Sequence, residues 1–199
     1  MQLTDALWAR RSIRKYGDIP ISKEEVERVI GAGMQAPSAK NRQPWRFVVV
    51  QGAAKTEMIR AMADGLEREE RQPLLPDSSR ALAAARHTLG IMAKAPVSIF
   101  VLNPLAAGGE LPTNLETEFY QMANLQSIGA AIQNMTLMAV ELGLGSLWIC
   151  DIFFAYPELC RWLGTGEQLV AALTLGVPTE KPHPRPRKSL VQLVQWREE

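Results

Sequence analysis

The sequence predicts an α+β fold, with helices packed around one mixed sheet of four or five strands. Amphipathic helical stripes alternate with short β-branched runs, and no internal repeat is present. No Gly-, Ser- or Pro-rich linker separates two cores, so residues 1–199 read as a single domain. The composition, 47 % apolar and 22 % charged, is that of an ordinary globular protein.

The elements follow in order. Residues 3–10 put Leu3, Leu7 and Trp8 on one helical stripe. In residues 22–36, Ser22 and Glu25 form a capping box, and Ile21 and Val26 a hydrophobic staple. Val26, Val29, Ile30, Gly33 and Met34 make the inward stripe, and Pro37 stops the helix. The run from Arg46 to Val50 is a strand, expected to be buried on both faces. Helices are expected over 53–70 and 79–93, and a strand over 97–102. Residues 71–79 read as a loop, and the loop 103–116 is long enough to suggest function or mobility. Residues 117–142 form the longest helix. It is apolar on nearly every face from Met122 to Leu142, which calls for burial partly in the core and partly against a second subunit. Gly143 caps it, and SLWIC, residues 146–150, is the next strand. A short helix over 156–163 and a strand over 169–175 complete the core. The proline-rich tail then leads to SLVQLVQW, residues 189–196, which alternates like a strand and could pair on a partner subunit.

Bulk properties narrow the function. A net charge of +1, from 22 basic and 21 acidic residues, argues against a nucleic-acid partner. No apolar run is long enough to span a bilayer and the N-terminus lacks a signal-peptide core, so neither a membrane nor secretion is expected and a cytoplasmic location is. Two histidines and two cysteines without Cys-x-x-Cys spacing mark no metal site. Cys150, in an apolar strand, is expected to be a buried, inert thiol. Leu142-Gly143-Leu144-Gly145-Ser146 runs from helix into strand, the wrong order for a dinucleotide fingerprint, but it suits close approach of backbone to a flat ligand. No nucleophile elbow, carboxylate pair or paired histidine stands out, so an enzyme built this way needs a cofactor for the difficult step.

Cations are the remaining signal. RRSIRKY, residues 10–16, places four of them around one serine, where the end of a helix accounts for one or two. Arg185 and Arg187 lie on a proline-stiffened extended segment, where side chains two apart point the same way and suit a phosphate.

RRSIRKY, PSAKNRQPW before a strand, QNMTLMAVELGLGSLWI at a helix–strand junction and PRPRKSL near the end occur in this order and spacing in the flavin-dependent nitroreductase family. The chain resembles that family from about Leu7 to Trp196, apart from residues 71–118, which carry no matching motif. The resemblance implies a nitroreductase-like fold, a homodimer with FMN at the subunit interface, and a C-terminal arm exchanged between subunits. It implies that Arg10, Arg11 and Ser12 hold the flavin phosphate and ribityl chain, joined by Arg185 and Arg187. It implies that Arg14 tunes the flavin near its N1/C2=O edge, that Pro37, Ser38, Ala39 and Asn41 reach the flavin from the second subunit, and that the backbone of Ile149, Cys150 and Asp151 lies beside flavin N5. No residue is then expected to be catalytic in itself. A ping-pong cycle is implied: NAD(P)H gives hydride to flavin N5, and a nitroaromatic, quinone or enone-like acceptor takes it from there. The pocket mouth is expected at 71–79 and 103–116. Two departures stand out: His87–Lys94 matches poorly a stretch that in relatives supplies an Asn and a Lys to the ring, and Cys150-Asp151 replaces the Glu-Gly of some relatives. Alternatives are a related flavoenzyme that dehydrogenates, dehalogenates or destroys flavin, and a flavin-binding sensor or store that NAD(P)H does not reduce.

Overall fold

A computed structural model describes residues 2–74, 78–107 and 114–198. Four strands form one sheet: β1 (Arg46–Gln51), β2 (Val97–Ala107), β3 (Gly145–Ile149) and β4 (Glu167–Gly176), in the order β1-β2-β4-β3. Every pairing is antiparallel, where a mixed sheet was expected. The one parallel contact is an isolated bridge between Ser12 and Ser146. The helices are α1 (Leu3–Ala9), α2 (Lys23–Met34), α3 (Ala54–Arg71), α4 (Leu82–Lys94), α5 (Leu115–Glu141), α6 (Tyr156–Leu163) and α7 (Leu190–Leu193).

Helices cover both sheet faces. On one, Phe100, Leu102 and Ala172 meet side chains of α3, α4 and α6, including Met58, Leu66, Met92 and Leu159. On the other, Ile99, Val101, Leu173 and Leu175 meet Val29 of α2 and Ile128, Ile132 and Met135 of α5. The central strands β2 and β4 are therefore apolar on both faces, as their near-continuous aliphatic runs require. Strand β1 is not: it lies at the sheet edge, with Val50 buried and Val49 exposed, because its position in the sheet order is set by tertiary pairing and not by its composition.

Local signals hold well at α2. Ser22 Oγ accepts from the Glu25 amide while the Glu25 carboxylate accepts from the Ser22 amide, and Ile21 and Val26 are both buried. Met34, placed on the inward stripe, is exposed instead. In α1 the buried residue is Ala6, and Leu3, Leu7 and Trp8 face outward. Residues 189–196 are not a strand: Ser189 and Gln192 cap the single turn α7, and no described strand lies beside it to pair with. The helix α5 starts from an Asn114–Thr117 capping box and ends at Gly143, whose φ of +71° suits glycine.

Candidate functional site

The site begins with how the two cationic segments meet. Gly17 N donates to Val177 O at 2.9 Å, Thr179 N to Lys15 O at 3.0 Å, and Tyr16 bridges Pro178. Glu180 Oε1 accepts from the amides of Arg14 at 2.5 Å and Lys15 at 3.2 Å. These bonds fasten the start of the C-terminal arm along residues 14–17 and send it back toward α1. Arg187 thereby comes close enough to Arg10 for its charge to be felt there. The Arg10 guanidinium is held below its ordinary range by burial first, then by Arg187 and Arg11. Arg11 gives Nη1 to the carbonyls of Trp8 and Arg10, both at 2.7 Å, while its buried Nε has no partner among the described residues. Arg10 thus has both Arg187 and Arg11 near it, and the buried N–H of Arg11 is a charged donor with spare hydrogen-bonding capacity. Arg185 is exposed, and its carbonyl accepts from Arg187.

The neighbouring backbone is tightly placed. Ile13 N donates to Ser146 O at 2.9 Å, which fixes Ser12 against the first residues of β3. A Cβ on Gly145 would stand 2.8 Å from Ile13 Cγ2, so glycine is what allows this approach. Beyond Ser146 the outer edge of β3 pairs with no described strand. The run from Ser146 to Cys150 measures about 13 Å at the usual rise per residue, a free backbone edge leading from the arginines to Ile149, Cys150 and Asp151. Cys150 is exposed rather than buried, because the strand ends before it. Its thiol is nevertheless raised above the ordinary range by partial burial and then by Asp151. Asp151 Oδ2 accepts from Thr88 Oγ1 at 2.5 Å, tying the strand end to α4.

Arg14 lines a cavity of about 480 Å³ with Lys15, Tyr16, Arg86, His87 and Lys94, and no carboxylate lines it. The hydroxyl of Tyr16 donates to Ile13 O and also shares a hydrogen bond with Thr174 Oγ1, both at 2.8 Å, and burial pushes its pKa up. His87 and Lys94 bound the stretch whose match to the family is poor, and no role was expected of them; Tyr16, Glu180 and Arg86 were not assigned to the site. Of those three, Tyr16 carried a signal, as the last residue of RRSIRKY.

Pro37, Ser38, Ala39 and Asn41 form a separate group within the chain. Ala39–Asn41 is a 3-10 turn, and Lys40, Asn41 and Gln43 all have positive φ. Ser38 Oγ accepts from Gln43 N, and Ala39 N reaches Ser127 Oγ on α5. No described hydrogen bond joins this loop to the arginines. Of the expected pocket mouth, residues 75–77 and 108–113 lie outside the described residues, and 103–107 continue β2.

Among the described residues no cluster of His, Cys, Asp and Glu suits a metal ion, and no helix is long and apolar enough to cross a membrane. The nitroreductase family model matches residues 7–177. A 5,6-dimethylbenzimidazole synthase of Rhodospirillum rubrum is 32 % identical, over 92 % of this chain and 84 % of its own length. An Archaeoglobus fulgidus protein with the provisional name NADH dehydrogenase/NAD(P)H nitroreductase is 30 % identical, over 88 % of this chain and 84 % of its own. Among solved structures, a provisional nitroreductase of Desulfovibrio desulfuricans in complex with FMN superposes with a TM-score of 0.74 at 27 % identity, covering 100 % of this chain and 99 % of that one. With the match spanning both the arginine segment and the β3 edge, the chain belongs to the nitroreductase family.

Proposed function

We propose that this protein is an FMN-dependent oxidoreductase that takes reducing equivalents from NAD(P)H and passes them to a small acceptor such as a nitroaromatic or a quinone. The observation that carries the reading is the meeting of Arg10, Arg11 and Arg187, with the partnerless Nε of Arg11 among them. A phosphate dianion supplies what that cluster lacks: acceptor oxygens for the free N–H and charge to offset three guanidinium groups.

Arg10, Arg11, Ser12 and Arg187 would hold the phosphate, and Arg185 would join them with little rearrangement of the arm. Bound here, FMN supplies hydride transfer in two directions, from the nicotinamide and to the acceptor. The chain's own part is binding, orientation and electrostatics. Arg14 brings fixed positive charge to the wall of the carboxylate-free cavity, where negative charge on a reduced ring is stabilised. The open edge of β3 offers backbone groups at Ile149–Asp151 that do not need a particular side chain. The cycle does not require a side-chain general acid, since its protons can come from water. Pro37, Ser38, Ala39 and Asn41 stand apart from the arginines and would complete the site of a second subunit, making the working unit a homodimer.

The test is the absorption spectrum of the purified protein before and after NADH or NADPH without oxygen. Bleaching of a flavin spectrum is expected. A colourless protein that also refuses added FMN would overturn the reading, and a flavin that neither nucleotide reduces would point to a sensor or store. The 32 % identity to a 5,6-dimethylbenzimidazole synthase favours one second reading, a flavin-consuming enzyme. In that case the flavin spectrum is lost irreversibly during aerobic turnover; recovery on reoxidation excludes it.

A further inference from the structure

Tyr120, one and a half turns into α5, carries two cations. Lys40 Nζ donates to its hydroxyl at 3.1 Å and lies 5.3 Å from the ring centroid. The Arg42 guanidinium carbon lies 4.6 Å from the same centroid. The two positive groups are therefore within about 10 Å of each other, about one Debye length at 0.1 M salt. Neither forms an ion pair with a described carboxylate. Both contacts hold the loop against α5, and together they gather two positive charges with no described carboxylate to offset them.

The loop that carries them is held in a costly form. Three non-glycine residues, Lys40, Asn41 and Gln43, have φ near +50°, a region that costs about 1–3 kcal/mol per residue and persists only where the surroundings impose it. Along α5 the loop meets Tyr120 and Ser127, which share a face with Asn124 at i, i+4 and i+7. Asn124 is 2 % exposed, and its amide oxygen has no partner among the described residues. That oxygen is sealed from solvent, so recognition at the loop falls to Lys40 and Arg42.

We infer that Lys40 and Arg42, set on Tyr120, form an anion-recognition rim that selects substrates carrying a negatively charged group. The inference rests on the proposed function, under which this loop borders the flavin site of a second subunit. Two substrates of that reaction can supply the anion: the reductant, through the 2′-phosphate of NADPH, or an acceptor bearing a sulfonate or carboxylate. Tyr120 supplies a flat surface, and the cations fix the charged end.

The experiment titrates the full-length protein by calorimetry with two matched pairs of probes. Adenosine 2′,5′-bisphosphate against adenosine 5′-monophosphate isolates the 2′-phosphate; anthraquinone-2-sulfonate against menadione isolates the acceptor's charge. The Lys40→Met/Arg42→Gln double variant is compared with wild type, with Lys40→Arg as the conservative control. Loss of the preference within one pair by about tenfold or more, kept in Lys40→Arg, supports the rim and names the source of its anion. A wild-type protein with no preference in either pair, or a folded double variant that keeps the preference, overturns it. Should the double variant fail to fold, wild type still decides: a preference that high salt does not weaken is not electrostatic and also overturns the rim. Failure of the FMN reading shows separately, as a colourless protein, and the titrations do not depend on colour.

Discussion

Arg11 turns Nη1 to two carbonyls and leaves Nε buried without a partner among the described residues, an arrangement that costs free energy and that a bound anion would relieve. Replacing Arg11 by Met should therefore cost FMN more than it costs the fold. A lost charge-assisted hydrogen bond is worth about 1.5–3 kcal/mol, so affinity for FMN should fall by about 10- to 150-fold. Fluorescence titration of the apoprotein with FMN measures it; an unchanged affinity would put the phosphate elsewhere. Arg187→Met should weaken FMN similarly, and it should also let the Arg10 guanidinium return toward its ordinary range, since Arg187 is one cause of its depression. The sequence showed both arginine clusters but not their meeting. That meeting depends on the Glu180 carboxylate and on backbone bonds of residues 177–179 to 15–17, all between positions 160 or more apart. Lys40 and Arg42 were less legible still. Cations in a loop look like solvated charge until Tyr120, some 80 positions away, is brought beneath them.

Elements whose signals are local were readable; elements defined by their neighbours were not. The capping box at Ser22 needs only four residues, so α2 was found with its start. The edge position of β1 and the exposure of Cys150 follow from sheet order and strand end, which no composition encodes. The packing of α3 on the segment after β3 is similarly hidden. Gly65 faces Ala155 so closely that an added Cβ would lie 2.2 Å from Ala155 Cβ and 2.4 Å from its Cα. Gly65→Ala should destabilise the protein by about 3 kcal/mol, the upper range for overpacking, because backbone and not a flexible side-chain end must move. Denaturant unfolding tests it, with a loss below 1 kcal/mol as the contrary result. Beside this contact Arg68 holds Glu158 at 3.1 Å and the carbonyl of Phe154 at 3.0 Å, and pairs with the buried Glu69, joining α3 to α6. Burial is the largest single influence on the Glu158 carboxyl and would raise it, but the Arg68 hydrogen bond, a backbone hydrogen bond and the charges of Arg68 and Arg161 together outweigh it, and the net direction is down. A carboxylate depressed in the folded state adds stability at neutral pH and loses it as pH falls from about 4.5 through the folded value. Glu158→Gln should flatten that acid limb, and unfolding midpoints at pH 7 and pH 4 should lie closer together than in wild type.

At the scale of the whole molecule, too much apolar surface is left without cover. Leu115, Phe119 and Met122 form one exposed stripe on α5, at 69 %, 62 % and 46 % exposure, in a helix otherwise read as buried. Trp8 is 76 % exposed on α1, and the arm ends in Leu190, Val191, Leu193 and Trp196, all exposed. An arm of this composition extending from a folded body gains nothing by reaching into water. In the proposed homodimer it would lie on the second subunit, and the same pairing would bring the loop of Pro37–Asn41 to a set of arginines to which no described hydrogen bond joins it within its own chain. Removing residues 189–199 should therefore act in two places at once. Light scattering should show the mass fall from that of two chains to one, and FMN affinity should fall with it, although Arg10, Arg11, Arg185 and Arg187 are all retained. Phe119→Glu should do the same from a distance, by placing a charge in the covered stripe. If the truncated protein kept both its mass and its flavin, the arm would be an appendage, and the second half of the site would have to come from the same chain.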